Sequence, residues 1–260
     1  MDNNKAWEEF IINLAKISNI DLKNYKRPQM ERRISSFMRQ QGVENYKEFL
    51  SLLTANKDVY QKFIEHLTIN VSEFFRNAGH WKVLAEEIFP ELAKRRGGPL
   101  KIWSAGCSTG EEPYSLAMVA KEKNVKIENK ILATDLDREV LAKAVKGTYS
   151  EKEIEGVPPP LKKKYFKQDG NFYTINDEIK NMIKFTRQNL LRDSFDKNFD
   201  LILCRNVVIY FTEETKKTLY KKFVEALRPN GIIFVGSTEQ IFNSREIGLH
   251  TQKIFFYTKQ

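Results

Sequence analysis

Apolar positions recur at helical spacing through the first third of the chain. Trp7, Phe10, Ile11, Leu14 and Ile17 share one helix face, and so do Tyr46, Phe49, Leu50 and Leu53. Between them, Pro28 can open a helix that runs to about Gln41 and stops at Gly42, with Met30, Ile34, Phe37 and Met38 on one side. From Leu100 the pattern changes. Short apolar runs at Leu100–Ser104, Lys130–Asp135, Ile183–Gln188, Asp200–Cys204, Gly231–Gly236 and Lys253–Thr258 alternate with helical stretches, among them Pro113–Lys123, Arg138–Val145 and Glu213–Leu227. Such alternation predicts an α/β domain with a mostly parallel sheet. Arg95-Arg96-Gly97-Gly98-Pro99 reads as a linker, which divides the chain into an all-helical part, 1–90, and an α/β part, 91–260. One interval, about 154–182, breaks the alternation. A proline cluster, a lysine run and two β-like pieces (Tyr165–Lys167 and Phe172–Ile175), joined by a turn at Asp169-Gly170, predict a small inserted antiparallel β-subdomain.

The richest stretch is Trp103 to Ser115, a strand, a tight glycine turn and a helix start. A dinucleotide fingerprint would place Gly-x-Gly-x-x-Gly here and leave the helix end uncharged for a pyrophosphate. Instead the glycines are Gly106 and Gly110, followed at once by Glu111 and Glu112. Two carboxylates repel phosphate and suit a cofactor with positive charge, such as the amino group and sulfonium of S-adenosylmethionine. Acidic residues in a first turn also complement the helix dipole, and the turn alone does not separate the two readings. Ligands of open α/β sheets sit at the carboxyl ends of strands. Those ends carry Asp135, suited to ribose hydroxyls; Asn189-Leu190, suited to an adenine edge and face; and Arg205-Asn206, with Tyr210 four residues on. Taken singly these are ordinary turn formers and a packed aromatic. Together they point to a nucleoside-bearing cofactor.

Composition narrows the class without choosing a partner. With 260 residues, 41% hydrophobic and 30% charged, the chain is expected to fold as a soluble globular protein. No apolar run has the length of a membrane span, and no signal-peptide pattern opens the chain. Two cysteines point to a reduced, cytoplasmic setting, and three scattered histidines show no metal-ligand spacing, so no metal is expected. A formal charge of +9 admits nucleic acid, an anionic surface or an acidic protein. On the Pro28 helix, Arg32 and Arg39 lie opposite the apolar side, with Arg33 at the flank and Arg27 just upstream. That is either a solvated face or a docking surface.

The chain resembles the CheR family of chemotaxis receptor methyltransferases over essentially its full length. Leu67–Arg76, Trp103–Ser115, Ala133–Asp137 and Phe199–Phe211 match in order and separation. The resemblance implies a helical domain followed by a Rossmann-like methyltransferase domain. It implies methyl transfer from S-adenosylmethionine, leaving S-adenosylhomocysteine, to glutamate side chains in the cytoplasmic helical bundle of chemoreceptors. By motif, Asn70, Ser72 and Arg76 would reach the cofactor from the N-terminal half. Glu112 or Glu111 would hold its amino group and Asp135 its ribose, while Asn189, Leu190, Asn206 and Val207 would line the rest. Arg76 and Tyr210 would flank the transferred methyl, and Arg27, Arg32, Arg33 and Arg39 become candidate receptor contacts. Members that bind a receptor's pentapeptide tether carry a longer, glycine-richer loop than Lys167–Thr174, so tether-independent docking is expected. Nucleic acid is not expected as substrate, because no Asn/Asp-Pro-Pro-aromatic motif follows the fourth strand.

Overall fold

The computed structural model describes residues 3–68 and 71–260. They form two compact units, Met1–Asn70 with Tyr210–Lys217, and Val71–Ile209 with Thr218–Gln260.

In the first unit four helices follow one another, α1 (Asn3–Ser18), α2 (Arg27–Gln40), α3 (Tyr46–Ala55) and α4 (Lys57–Leu67). Pro28 opens α2, and the side chains of Asn45 and Asn56 accept N–H groups in the first turns of α3 and α4. The apolar stripes meet in an aromatic core. Phe10 stacks on Tyr46 at 4.9 Å, Phe49 meets Phe63 edge-on at 5.0 Å, and Phe37 lies against both phenylalanines. A distant piece of chain completes this unit. Phe211 bridges Tyr25 in antiparallel sense, Lys26 N–H donates to the Tyr210 carbonyl at 2.9 Å, and Thr212 N–H donates to the Asn24 carbonyl at 3.0 Å.

The basic face of α2 is divided in use. Arg32 and Arg39 are exposed as expected. Arg33 is not, because its guanidinium donates to the His66 carbonyl while the His66 ring bonds back to the Arg33 carbonyl at 3.1 Å. Arg27 lies over the Trp7 ring, paired with Glu31 at 3.2 Å and bonded to Asn4. Both cations hold helices together, although the Arg27 side chain stays 38% exposed.

The second unit begins with helical turns α5 (Ala78–Val83) and α6 (Phe89–Arg96), joined by a π-helical turn at Leu84–Ile88. A seven-stranded sheet follows in the order β6-β2-β1-β7-β8-β10-β9. Its strands are β1 (Ile102–Ala105), β2 (Ile131–Asp135), β6 (Ile183–Arg187), β7 (Phe199–Cys204), β8 (Leu227–Val235), β9 (Leu249–Lys253) and β10 (Phe256–Lys259). Strands β1, β2, β6, β7 and β8 run parallel. The helices include α7 (Glu111–Glu122), α8 (Arg138–Lys146) and α11 (Glu213–Ala226). A three-stranded antiparallel sheet, β3 (Thr148–Ser150), β5 (Phe172–Ile175) and β4 (Phe166–Asp169), is inserted with α9 (Pro159–Tyr165) and α10 (Asp177–Lys180).

Three details depart from the sequence reading. Trp81, Leu84, Ile88, Phe89 and Leu92 are buried in the same core as Leu100, Ile102 and Leu116, so residues from Val71 onward belong with the sheet, some twenty residues before the expected linker. Gly97 marks only the left-handed end of α6. The inserted sheet also recruits Thr148–Ser150, earlier than expected. The run Lys253–Thr258 is not one strand, because the chain reverses through Ile254 and Phe255, and Phe255 itself takes positive φ (70°). No helix among the described residues is long and apolar enough to cross a membrane.

Candidate active site

The sheet reverses its order of connection between β1 and β7, and in such sheets the crevice at the strand ends is the ligand site. Beyond β1 the chain passes through Gly106 and Gly110, both in left-handed backbone (φ 80° and 99°). The N–H groups of Gly106 and Cys107 donate to the Thr134 carbonyl at 2.8 and 2.9 Å, tying the turn to the end of β2. A Cβ on Gly106 would overlap a Val207 methyl, so bare backbone here lets the loop after β7 close upon the loop after β1.

Three carboxylates gather at these ends. Glu111 is 2% exposed and accepts the Thr109 hydroxyl at 2.8 Å on both oxygens, with a further hydrogen bond from Ser72. Glu112 accepts the Ser104 hydroxyl at 2.8 Å and pairs with Arg205 at 3.5 Å. Asp135 accepts the Ser108 N–H at 2.9 Å on one oxygen and the Asp137 N–H at 3.1 Å on the other. Burial pushes all three carboxyls above the usual carboxylate range. Hydrogen bonds oppose it at Glu111 and Asp135, and the Arg205 charge opposes it at Glu112.

Arg205, noted in the sequence only as a strand end, is a fixed point of this site. It is 6% exposed, lies over the rings of Phe234 (4.6 Å) and Trp81 (5.6 Å), and donates to the Arg76 carbonyl at 2.8 Å and to Asn77 Oδ1 at 3.2 Å. Its neighbours in charge, Glu112, Arg76 and Glu239, come from separate parts of the chain. Segment Val71–Arg76 was expected to arrive from the N-terminal half, but it belongs to the unit that carries the sheet. Phe74 anchors it edge-on against Tyr149 at 4.9 Å, and Phe75 N–H donates to the Ser115 hydroxyl at 3.0 Å. The Arg76 side chain reaches the Val71 carbonyl at 3.4 Å, and its own carbonyl also accepts the Trp81 indole at 3.0 Å. Asn70 lies outside the described residues.

The remaining expected residues divide. Asn189 and Leu190 follow β6, where Gln188 N–H donates to the Asp135 carbonyl at 2.9 Å. The Asn189 side-chain oxygen accepts Leu191 N–H at 3.0 Å, so it shapes its own turn, and the Leu190 carbonyl accepts the Lys222 ammonium at 2.7 Å. Asn206 has positive φ (60°) and Val207 meets Gly106. Tyr210 falls in the other unit. Glu239 was missed altogether. Its buried carboxylate bonds the N–H groups of Asn206, Val208 and Gly236, and no local pattern in Gly236-Ser-Thr-Glu239 announces so distant a partner.

Comparison with known proteins shows the family. The family description "CheR methyltransferase, SAM binding domain" matches residues 70–254, and "CheR methyltransferase, all-alpha domain" matches residues 5–68. A chemotaxis protein methyltransferase of Listeria innocua is 42% identical over 240 residues, covering 92% of both chains. One from Salmonella typhimurium is 35% identical over 251 residues, covering 92% of this chain and 85% of its own. The residues present fit S-adenosylmethionine. Three carboxylates, Glu111 buried and Glu112 and Asp135 partly exposed, against one buried guanidinium leave the strand ends acidic, as an ammonium and a sulfonium require. Asp135 accepts the Ser108 and Asp137 N–H groups on separate oxygens and a further backbone hydrogen bond from Leu136, which leaves a carboxylate with acceptor capacity for a hydroxyl. The chain belongs to the CheR methyltransferase family of S-adenosylmethionine-dependent enzymes.

Proposed function

We propose that the chain esterifies glutamate side chains in the cytoplasmic helical bundle of chemoreceptors, acting from the cytoplasm and without a receptor tether. The reading is carried by the match to both CheR domain descriptions together with the acidic cluster Glu111, Glu112 and Asp135 at the strand ends. When bound, S-adenosylmethionine supplies a methyl group on a sulfonium.

The nucleophile needs no general base, since a glutamate carboxylate with a reference pKa of about 4.3 is ionised at neutral pH. What the protein supplies is alignment. Arg76 has a backbone fixed by Trp81 and Arg205 and a side chain that makes one long hydrogen bond, so it is suited to hold one oxygen of the incoming carboxylate. By the family motif, Tyr210 is a second candidate for orienting the substrate carboxylate. For the cofactor ammonium we favour Glu111. The charge of Glu112 is balanced by Arg205, whereas Glu111 is held by hydroxyl groups. Ser72 supports Glu111, Asp135 takes the ribose, and Leu190 and Val207 cover the adenosine. Docking narrows to Arg32 and Arg39.

Incubation with methyl-labelled cofactor tests the reading, using receptor-bearing membranes and, in parallel, RNA. Base-labile label on glutamates of the receptor bundle is the expected result. Label on RNA, or receptor label only when a C-terminal pentapeptide is present, would overturn the substrate or the tether part respectively.

A further inference from the structure

We infer that Glu239 is a positioning residue for cofactor binding, a buried anion that holds the loop after β7 in the shape the cofactor meets. The inference rests on the family's use of S-adenosylmethionine and is independent of the receptor reading.

Glu239 follows β8, is 4% exposed, and directs its carboxylate at amide N–H groups. One oxygen accepts Asn206 N–H and also Gly236 N–H, the latter at 2.9 Å, while the other accepts Val208 N–H at 2.9 Å. The Ile209 amide adds to the same set. Asn206 sits in left-handed backbone, a conformation Asn visits more readily than most L-residues and one that costs energy its surroundings must offset. The two amides Glu239 gathers on either side of Val207 impose it here. Val207 in turn packs against the bare backbone of Gly106, in the glycine turn that leads into α7. The path is continuous from Glu239 to the amides, to Val207, and to the glycine turn.

Gly236 is a second, independent mark of this arrangement. A Cβ there would overlap the Glu239 carboxylate and stand 2.9 Å from the Asn206 nitrogen. The strand end is shaped to let the carboxylate reach the loop. On the other side Arg205 is fastened to Arg76 and Asn77, so residues 205–209 are clamped from both directions.

Amide exchange on the unmodified, ligand-free protein is the first test. The N–H groups of Asn206 and Val208 should already be protected before cofactor is added, and free exchange there would overturn the proposal. The second is Glu239→Gln, whose amide group turns a donor toward one of the gathered N–H groups. Titration with S-adenosylhomocysteine should show binding weakened about ten- to a hundredfold. The KM for cofactor should rise by a similar factor while the KM for receptor stays within about twofold. Gly236→Ala should give the same pattern by pushing the carboxylate aside. A purely structural role would lower the melting temperature yet leave cofactor affinity of the folded protein unchanged in both variants, and that result would sink the inference.

Discussion

At the scale of single residues, the site is governed by where charge is balanced and where it is not. Glu112 and Arg205 form a buried pair, and removing one member of such a pair leaves the other uncompensated. Arg205→Ala should therefore cost about 3–5 kcal/mol in denaturant unfolding. Glu111 has no such partner, and burial raises its carboxyl above the ordinary range. A folded pKa above the unfolded one adds stability below the unfolded value, and that contribution disappears as pH rises through the folded value. Cofactor binding runs the opposite way, because an ammonium prefers the ionised carboxylate. Affinity for S-adenosylhomocysteine should fall as pH is lowered through the Glu111 titration, and Glu111→Gln should flatten that part of the curve in calorimetric titrations. Arg76 behaves differently again. Its backbone is held by other residues, so Arg76→Ala should leave stability within about 0.5 kcal/mol. Turnover should fall on the order of a hundredfold, with cofactor affinity moved less. Loss of cofactor binding together with activity would make Arg76 chiefly a cofactor ligand. Much of this residue-level arrangement was legible in the sequence. The glycine turn and the paired glutamates announce themselves by spacing within one motif, and Asp135 by its place at the end of the next strand. Arg205 and Glu239 do not, because each acts on backbone groups far away in the chain.

At the scale of elements, the inserted antiparallel sheet acquires a structural task. Phe74 is packed edge-on by Tyr149 and Phe166, at 4.9 and 5.6 Å, and these come from β3 and β4. The small sheet thus supports the segment that carries Ser72 and Arg76. Gly156 lies against the Phe74 carbonyl, and a Cβ there would overlap it. Gly156→Ala should cost about 1–3 kcal/mol by overpacking. It should also reduce turnover through displacement of Ser72 and Arg76, although residue 156 belongs to neither motif. Paired unfolding curves and single-turnover rates would check both effects. The periodicity of the sequence located every strand of the parallel sheet, since apolar runs bounded by turn residues are local signals. The β9–β10 reversal was invisible because Ile254 and Phe255 carry none of the usual turn chemistry, while Phe234 of β8 stacked on Phe256 at 4.1 Å is a tertiary reason for the β8–β10 pairing.

At the scale of the whole molecule, charge and chain order matter most. A net charge of +9 and two outward arginines on α2 favour an acidic partner. Arg32→Glu with Arg39→Glu should raise the KM for receptor, leave the KM for cofactor unchanged, and weaken the salt dependence of methylation. Equal methylation rates for variant and wild type across a salt series would remove α2 from the docking surface. The expected boundary at residue 90 rested on the glycines and proline of 97–99, which mimic a linker by composition. Burial of Trp81, Leu84 and Phe89 with the sheet was beyond what local composition reports.

The first unit is not finished by its own helices, since Thr215 reaches Asn24 across a separation of 191 residues and Phe211 bridges Tyr25. During synthesis α1 to α4 leave the ribosome long before the segment that completes them exists. At roughly 5–20 residues per second the wait is on the order of ten seconds or more. The helices must hold together on their aromatic core alone in that interval, with the edge at Asn24–Lys26 open to water or to a chaperone. Maturation of this unit is thereby coupled to the chain passing residue 217, and a ribosome stalled before that point would carry a helical unit still unsealed.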